Sequence, residues 1–409
     1  MSRFLKLFEG FGIELEYMIV DKKTLQILPI TDRLMEAAQG TIVSDFEDGD
    51  ITWSNELVGH VVELKTTGPA TSLNHLETAF LRSLRKVQSL LEPMGATLLP
   101  SAMHPLMKPD EMTLWSHDNN EVYEAYDRIF DCRGHGWSNL QSMHINLPFS
   151  DDAEFERLHT AIRFLLPILP ALTASSPMVE GRLTGALDNR LQYYQKNQIR
   201  VPSIAGNVIP ELVTSMSDYR EKILARVFND IAPHDPDEIL RDDWLNSRGA
   251  IARFGRQTIE IRVLDIQETP SMDIAIANLI TSVLKELVTG KLVSHEAQRK
   301  QETLALKAIF DETAQHAEGA KIGDRNYLAA WGLNADVTAA DLWKKIFATR
   351  DLPTYHAEKI SLLLTRGSLA TRISKALGQI PSVEDIRKTY LDLSSCLVKD
   401  QFFHGRESQ

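Results

Sequence analysis

Residues 12–20, GIELEYMIV, alternate with a period of two. Ile13, Leu15, Tyr17 and Ile19 fall on one face of an extended chain, and Glu14 and Glu16 fall on the other. Such a strand buries one side and points two carboxylates, about 7 Å apart along its axis, the same way. Three further stretches repeat the pattern. In residues 60–66 (HVVELKT), Val61, Glu63 and Lys65 alternate with Val62 and Leu64. In residues 142–149 (SMHINLPF), Met143, Ile145 and Leu147 oppose His144 and Asn146, and in residues 258–265 (TIEIRVLD), Ile259, Ile261 and Val263 oppose Glu260 and Arg262.

Helical periodicity fills the intervals. Residues 74–92 carry Leu76, Ala79, Phe80, Leu84, Val87, Leu90 and Leu91 at helical spacing. Asn74 and Glu77 read as the opening cap pair, and Pro93-Met94-Gly95 as the stop. Residues 152–166 and 272–287 predict two more helices. Within DFEDGD (45–50), Asp48-Gly49 predicts a hairpin turn; the glycine stands at the wrong place for an EF-hand. After about residue 290 the pattern is helical and polar outside, with turns at Gly319, Gly323, Pro353 and Gly367. Strands scattered among helices without regular βαβ alternation predict an α+β fold. The expected division is a core over 1–290 and a helical C-terminal region over 291–409 packed on the same domain. There is no G-x-G-x-x-G after a strand and no G-x-x-x-x-G-K-[ST], so neither a Rossmann turn nor a P-loop is available for a nucleotide.

Composition narrows the function. With 43% hydrophobic and 24% charged residues the chain is that of a globular protein with a sizeable core. A net charge of -12, from 44 basic against 56 acidic residues, argues against a nucleic-acid binder, which would show a basic excess. It gives no support to attraction by anionic membranes, and small anionic substrates would need local arginines and metal ions. Cys132 and Cys396 are the only cysteines, too far apart in sequence for a zinc motif, and they fit a reducing compartment. The N-terminal apolar run is too short for a signal peptide, and no stretch approaches the roughly 20 apolar residues that span a bilayer. The expectation is a cytoplasmic protein.

A single glutamate on a strand is ordinarily a solvated residue on the open face of an antiparallel sheet. Glu14, Glu16, Glu63 and Glu260, joined by His144 and Arg262, point further. If four carboxylates converge, each pair 4 Å apart costs about 4 kcal/mol at an effective dielectric of about 20. Protonation, arginine partners or divalent cations would relieve that cost, and hard oxygen ligands favour Mg or Mn bridging carboxylates to phosphates.

The same segments carry a resemblance. Gly12-Ile13-Glu14-Leu15-Glu16 resembles the G-[IV]-E-x-E opening strand of the glutamate–cysteine ligase family, and Glu56 with Glu63 in NELVGHVVELKTTGPA resembles its second acidic segment. SAMHP (101–105), MHIN, SSPMVEGRLTGALDNR (175–190) and TIEIRVLDIQ (258–267) are similar to further family segments and follow in the same order, spanning roughly residues 10–287. The resemblance implies a glutamine-synthetase-like fold, a curved and largely antiparallel sheet with helices on its convex side. It implies ATP with Mg or Mn, and a glutamate-like acid activated as an acyl phosphate and joined to an amine such as cysteine, as in glutathione biosynthesis. A homo-oligomer is compatible with it.

Carried over by position, Glu14, Glu16, Glu56, Glu63, His144 and Glu260 would ligate metal, with His144 also a phosphate contact. Asn146 and Arg190, with Arg182 as a further candidate, would hold the acid substrate. Arg262 would neutralise charge on the transferring phosphoryl group, with Glu260 beside it in the catalytic set. Arg253, just before the E-x-R strand, is a further candidate for substrate contact without an assigned place, His104 reads as a strand end, and Tyr193, Tyr194 and Lys196 read as packing and surface residues. Two other functions use the same carboxylates: a two-metal phosphoesterase, and a nucleotide or amino-acid binding protein without turnover.

Overall fold

The computed structural model describes residues 4–405. The strands up to residue 265 are β1 (Gly12–Asp21), β2 (Asp45–Asp48), β3 (Ile51–Asn55), β4 (Val61–Thr66), β5 (Ala96–Leu99) and β6 (Ser142–Pro148), then a two-stranded ribbon, β7 (Met178–Val179) and β8 (Arg182–Leu183), and then β9 (Ala250–Arg253) and β10 (Thr258–Asp265). Leaving out the ribbon, they form one eight-stranded sheet, ordered β2-β3-β4-β1-β6-β10-β9 with β5 paired to β1. Every pairing in it is antiparallel. The alternation sets the faces. Ile13, Leu15, Tyr17 and Ile19 are fully buried in the main core with Met143, Ile145, Leu147, Ile259 and Ile261.

Helices Leu73–Leu91, Asp152–Leu165 and Pro270–Val288 supply the opposite wall of that core. In the first, Leu76, Phe80, Leu84, Val87 and Leu91 make the buried stripe, and the buried Ser83 accepts from Trp53 Nε1 at 2.5 Å. The expected cap pair is displaced. Ser72 is the extended N-cap residue and its Oγ accepts from the Asn74 amide at 3.2 Å, so Asn74 already lies inside the helix. Glu77 instead reaches His356 Nε2, 3.0 Å away in helix Thr354–Arg366. The stop is where Pro93 and Gly95 put it: a 3-10 turn ends at Gly95, whose φ of 73° suits a residue without Cβ.

Helix Pro270–Val288 is apolar nearly all round and packs against both the other two helices and Thr354–Arg366, as a helix inside a core must. The main core runs from Phe11 to Leu397, so helices beyond residue 290 share it with the sheet.

The Glu14–Glu16 face does not stay polar to its end. Met18 and Val20, next in the alternation, belong to a second apolar cluster with Val61, Leu99, Tyr126 and Ile129. The polar strip is thereby closed at one end, while toward Gly12 it opens into a cleft of about 700 Å³. Among the described residues no helix is long and apolar enough to cross a membrane.

Candidate active site

Register brings the polar side chains together. Glu14 stands opposite Lys65 on β4 and opposite His144 on β6, while Glu16 stands opposite Glu63. Glu260 stands opposite Asn146, and Ser54 on β3 opposite Glu63. Directly opposed residues share a face with Cβ atoms about 5 Å apart, so one patch spans five strands. Glu14 and Glu260 lie on the same side: His144 Nδ1 is 2.8 Å from Glu14 Oε2 and 3.7 Å from Glu260 Oε1.

His144 organises the centre. Its Nδ1–H donates to Glu14, and its Nε2 lies 2.9 Å from Ser142 Oγ. Ser142 donates through both amide and hydroxyl to Glu16 Oε2, at 2.7 and 2.9 Å. With that hydroxyl proton committed to Glu16, the serine oxygen accepts from Nε2–H, so both ring nitrogens carry protons. Burial alone would lower the His144 pKa, but the hydrogen bond and charge of Glu14, then Glu16 and Glu260, raise it above the ordinary value. Burial would likewise raise Glu14, yet the bond from His144 holds its carboxyl far below the usual range.

The other carboxylates divide by partner. Both oxygens of Glu260 are held by arginines, Arg253 Nη1 at 2.8 Å and Arg262 Nε at 3.0 Å. Its burial is outweighed by Arg262, and its pKa is lowered. Glu63 accepts from Ser54 Oγ at 2.7 Å and pairs with Lys65 Nζ at 3.1 Å. Burial and the charge of Glu14 nevertheless push it up to about 7. Glu56, just past β3, is driven well above the ordinary value by burial and by Glu63 and Glu16.

Ligand atoms of Glu14, Glu63 and His144 lie within 4.8 Å of one another, as do those of Glu16, Glu56 and Glu63. The donor set fits a hard divalent cation: carboxylates crowded enough to keep protons on Glu56 and Glu63 are carboxylates a cation would stabilise. Glu63 is common to both groups. Glu260 is in neither, its oxygens being taken by guanidinium groups.

Beyond the carboxylates, the cleft is lined by Glu14, Lys65, Asn146 and Thr258, with Arg256 at the tip of the β9–β10 hairpin. Asn146 donates to Glu14 Oε1 at 3.0 Å and receives Thr258 Oγ1 at 3.5 Å, so it sits where the carboxylate patch meets the cleft.

Both expected substrate arginines lie elsewhere. Arg190 is 1% exposed; its Nε donates to Asp265 Oδ1 at 2.5 Å and its Nη1 to the Arg262 carbonyl at 3.3 Å. It therefore does not present a fork to the cleft, because a buried carboxylate has claimed it. Arg182 is exposed on β8, and no hydrogen bond or ion pair among the described residues ties it to the patch. His104 lies past the end of β5 and is structural: Nδ1 accepts the amides of Leu106 and Met107, and Nε2 donates to the Leu25 carbonyl. Burial lowers its pKa to about 4.

Residues to which sequence reasoning gave no role include Lys65, Ser142, Ser54 and Arg256, and it left Arg253, which the structure sets on Glu260, without a place. Lys65 and Ser142 were readable, each two residues from a singled-out neighbour on the same strand face. Ser54 was not, because β3 (ITWSN) is recognisable only through its partner β4.

The sequence profile of Glutamate-cysteine ligase family 2 (GCS2) matches residues 10–372. The chain is 31% identical over 401 residues to an uncharacterised protein of Archaeoglobus fulgidus, covering 96% of this chain and 99% of that one. Among solved structures, the glutamate–cysteine ligase (gshA) of Francisella tularensis, crystallised with AMP, superposes with a TM-score of 0.59 at 13% identity, covering 99% of this chain and 91% of that one. A bifunctional glutathione synthetase from Pasteurella multocida gives 0.59 at 15% identity, covering 96% of this chain and 53% of that longer one. These two likenesses establish the shared fold. With that profile matching most of its length, this chain belongs to glutamate-cysteine ligase family 2.

Proposed function

We propose that this protein is an ATP-dependent ligase that activates a carboxylate of glutamate as an acyl phosphate and couples it to an amine, with cysteine one candidate. The observation that carries the reading is the two groups of metal-ligating side chains that share Glu63, one of them reaching through Glu14 into a cleft also lined by Lys65 and Arg256. A polyanion in the cleft would meet the cations Lys65 and Arg256 and, through Glu14, the metal-binding carboxylates. The family and the nucleotide in the Francisella structure support ATP as that polyanion.

Glu14, Glu16, Glu56, Glu63 and His144 would hold Mg or Mn, His144 after giving up a ring proton. Bound there, the metal supplies charge neutralisation for the nucleotide phosphates. Lys65 and Arg256 would bind phosphate oxygens, and Asn146 would orient the group at the junction of cleft and patch. Arg262, with Nε on Glu260 and Nη1 on the Asn246 carbonyl, would stabilise negative charge on the phosphoryl group in transfer. Arg253 keeps Glu260 ionised and in place. A carboxylate oxygen of the acid attacks the terminal phosphorus as ADP leaves. The amine then attacks the acyl carbon, phosphate leaves, and the amine gives up a proton.

The test is release of ADP and phosphate with L-glutamate present and a panel of amines varied. Turnover that needs both acid and amine is the expected result. Release from ATP alone would replace the ligase with a hydrolase, and no release with any amine would leave a binding protein.

A further inference from the structure

The paired strands β6 and β10 slip by one residue beside the carboxylate patch. Ile261 stands opposite Ile145, but the next partners are Leu264 and Met143, three steps on β10 against two on β6. The extra residue makes a bulge at Arg262–Val263, and a bulge re-aims the side chain it carries. It also resets the alternation. Val263 and Leu264 both turn into the main core, and Asp265 comes opposite Ser142, on the face that holds Glu16.

Asp265 is 0% exposed and gathers the covering segment around the bulge. Its Oδ2 accepts the Ser175 amide at 2.8 Å and Ser176 Oγ at 3.0 Å, and its Oδ1 accepts Arg190 Nε at 2.5 Å. Arg190 in turn donates Nη1 to the carbonyl of Arg262 itself, at 3.3 Å. From the other side the Arg262 amide donates to the Gly249 carbonyl at 3.0 Å, and Gly249 lies so close that an added Cβ would stand 2.7 Å from Val263 Cγ1. The backbone of Arg262 is thus clamped at both its polar atoms, and its side chain runs to Glu260 at 3.0 Å and the Asn246 carbonyl at 3.4 Å.

We propose that Asp265 is a positioning residue of the ligase site, acting through Arg190 on the β10 bulge so that Arg262 is aimed at the transferring group. This rests on the role given to Arg262 above. Asp265 touches no substrate; it fixes the guanidinium that fixes the Arg262 carbonyl. The dyad replaces the expected grip of Arg190 on a substrate carboxylate with an internal function that uses the same planar fork.

The experiment is a double-mutant cycle in the full-length protein with Asp265→Asn, Arg262→Lys and the pair, read as kcat and as KM for ATP. Asp265→Asn should lower kcat roughly ten- to hundredfold, the scale of one charged hydrogen bond, and leave KM for ATP within about twofold of wild type. In the Arg262→Lys background it should cost less than about threefold, since the path it serves is already broken. Full multiplication of the two losses, or an equal rise in KM for ATP, would overturn the proposal in favour of a general structural role. Should Asp265→Asn fail to fold, Arg190→Lys serves instead: it keeps the charge beside Asp265, removes the donor to the Arg262 carbonyl, and should give the same kcat-specific loss. A crystal structure of the variant separates this idea from the ligase reading. Arg262 unmoved from Glu260 refutes positioning whatever the protein catalyses. Wild-type protein lacking turnover dependent on acid and amine refutes the ligase reading, and the displacement of Arg262 then decides positioning alone.

Discussion

Replacing Glu63 with glutamine removes the carboxylate common to both candidate metal groups, and the consequence can be worked from its surroundings. In the metal-free protein Glu63 titrates at about 7 instead of 4.5, raised by burial and by Glu14. The folded state therefore holds a proton that the unfolded chain releases near 4.5. Its contribution to stability is complete below pH 4.5 and is lost as pH rises to 7. Each pH step in that window removes about 1.4 kcal/mol, so the whole amounts to on the order of 3 kcal/mol. Glutamine keeps the shape, can still accept from Ser54, and has no proton to lose. Lys65 retains Asp45 at 3.2 Å as a partner. Urea unfolding in EDTA should show the variant gaining on wild type between pH 5 and 8, by roughly 3 kcal/mol. Added Mg should stabilise wild type most at the high end, where the ligand is already deprotonated, and the variant little at any pH. Stability curves for the two proteins that run parallel from pH 5 to 8 would refute the reasoning, because a crowded, protonated Glu63 cannot be pH-neutral.

Three other outcomes can be checked. Glu14→Gln and Glu16→Gln should each abolish ADP formation in a folded protein, so near-normal turnover at limiting Mg would remove that residue from the metal set. Arg256→Ala should change urea stability little, since the exposed side chain makes no hydrogen bond or ion pair among the described residues and acts on Glu14 through its charge alone; KM for ATP should rise by roughly tenfold or more, and an effect confined to the acid substrate would misplace the nucleotide. Gly249→Ala should destabilise by about 1–3 kcal/mol, because the new methyl meets Val263 at 2.7 Å and Val208 at 3.2 Å; a neutral result would mean that the bulge yields.

Much of the site was legible in the sequence because strand alternation is local: which residues share a face with Glu14, Glu63, His144 or Glu260 follows from counting by two. The helices 73–91, 152–165 and 270–288 were legible for the same reason, their apolar period being written along one segment. What counting could not supply was pairing. That Glu16 meets Glu63 and Glu14 meets His144 depends on the register of β1 with two distant strands, which the packing of buried side chains sets. Arg190 shows the limit most clearly. The family resemblance implied that it holds a substrate carboxylate, and only the tertiary structure places Asp265 against it. Asp265 reaches that position because a bulge spoils the alternation by one residue, and a bulge arises from the fit of two strands on a core, which neither strand's own sequence contains. The sequence alone determined which chemistry the strands could present; the packing of the whole chain decided which side chains face the cleft and which are spent holding the others in place.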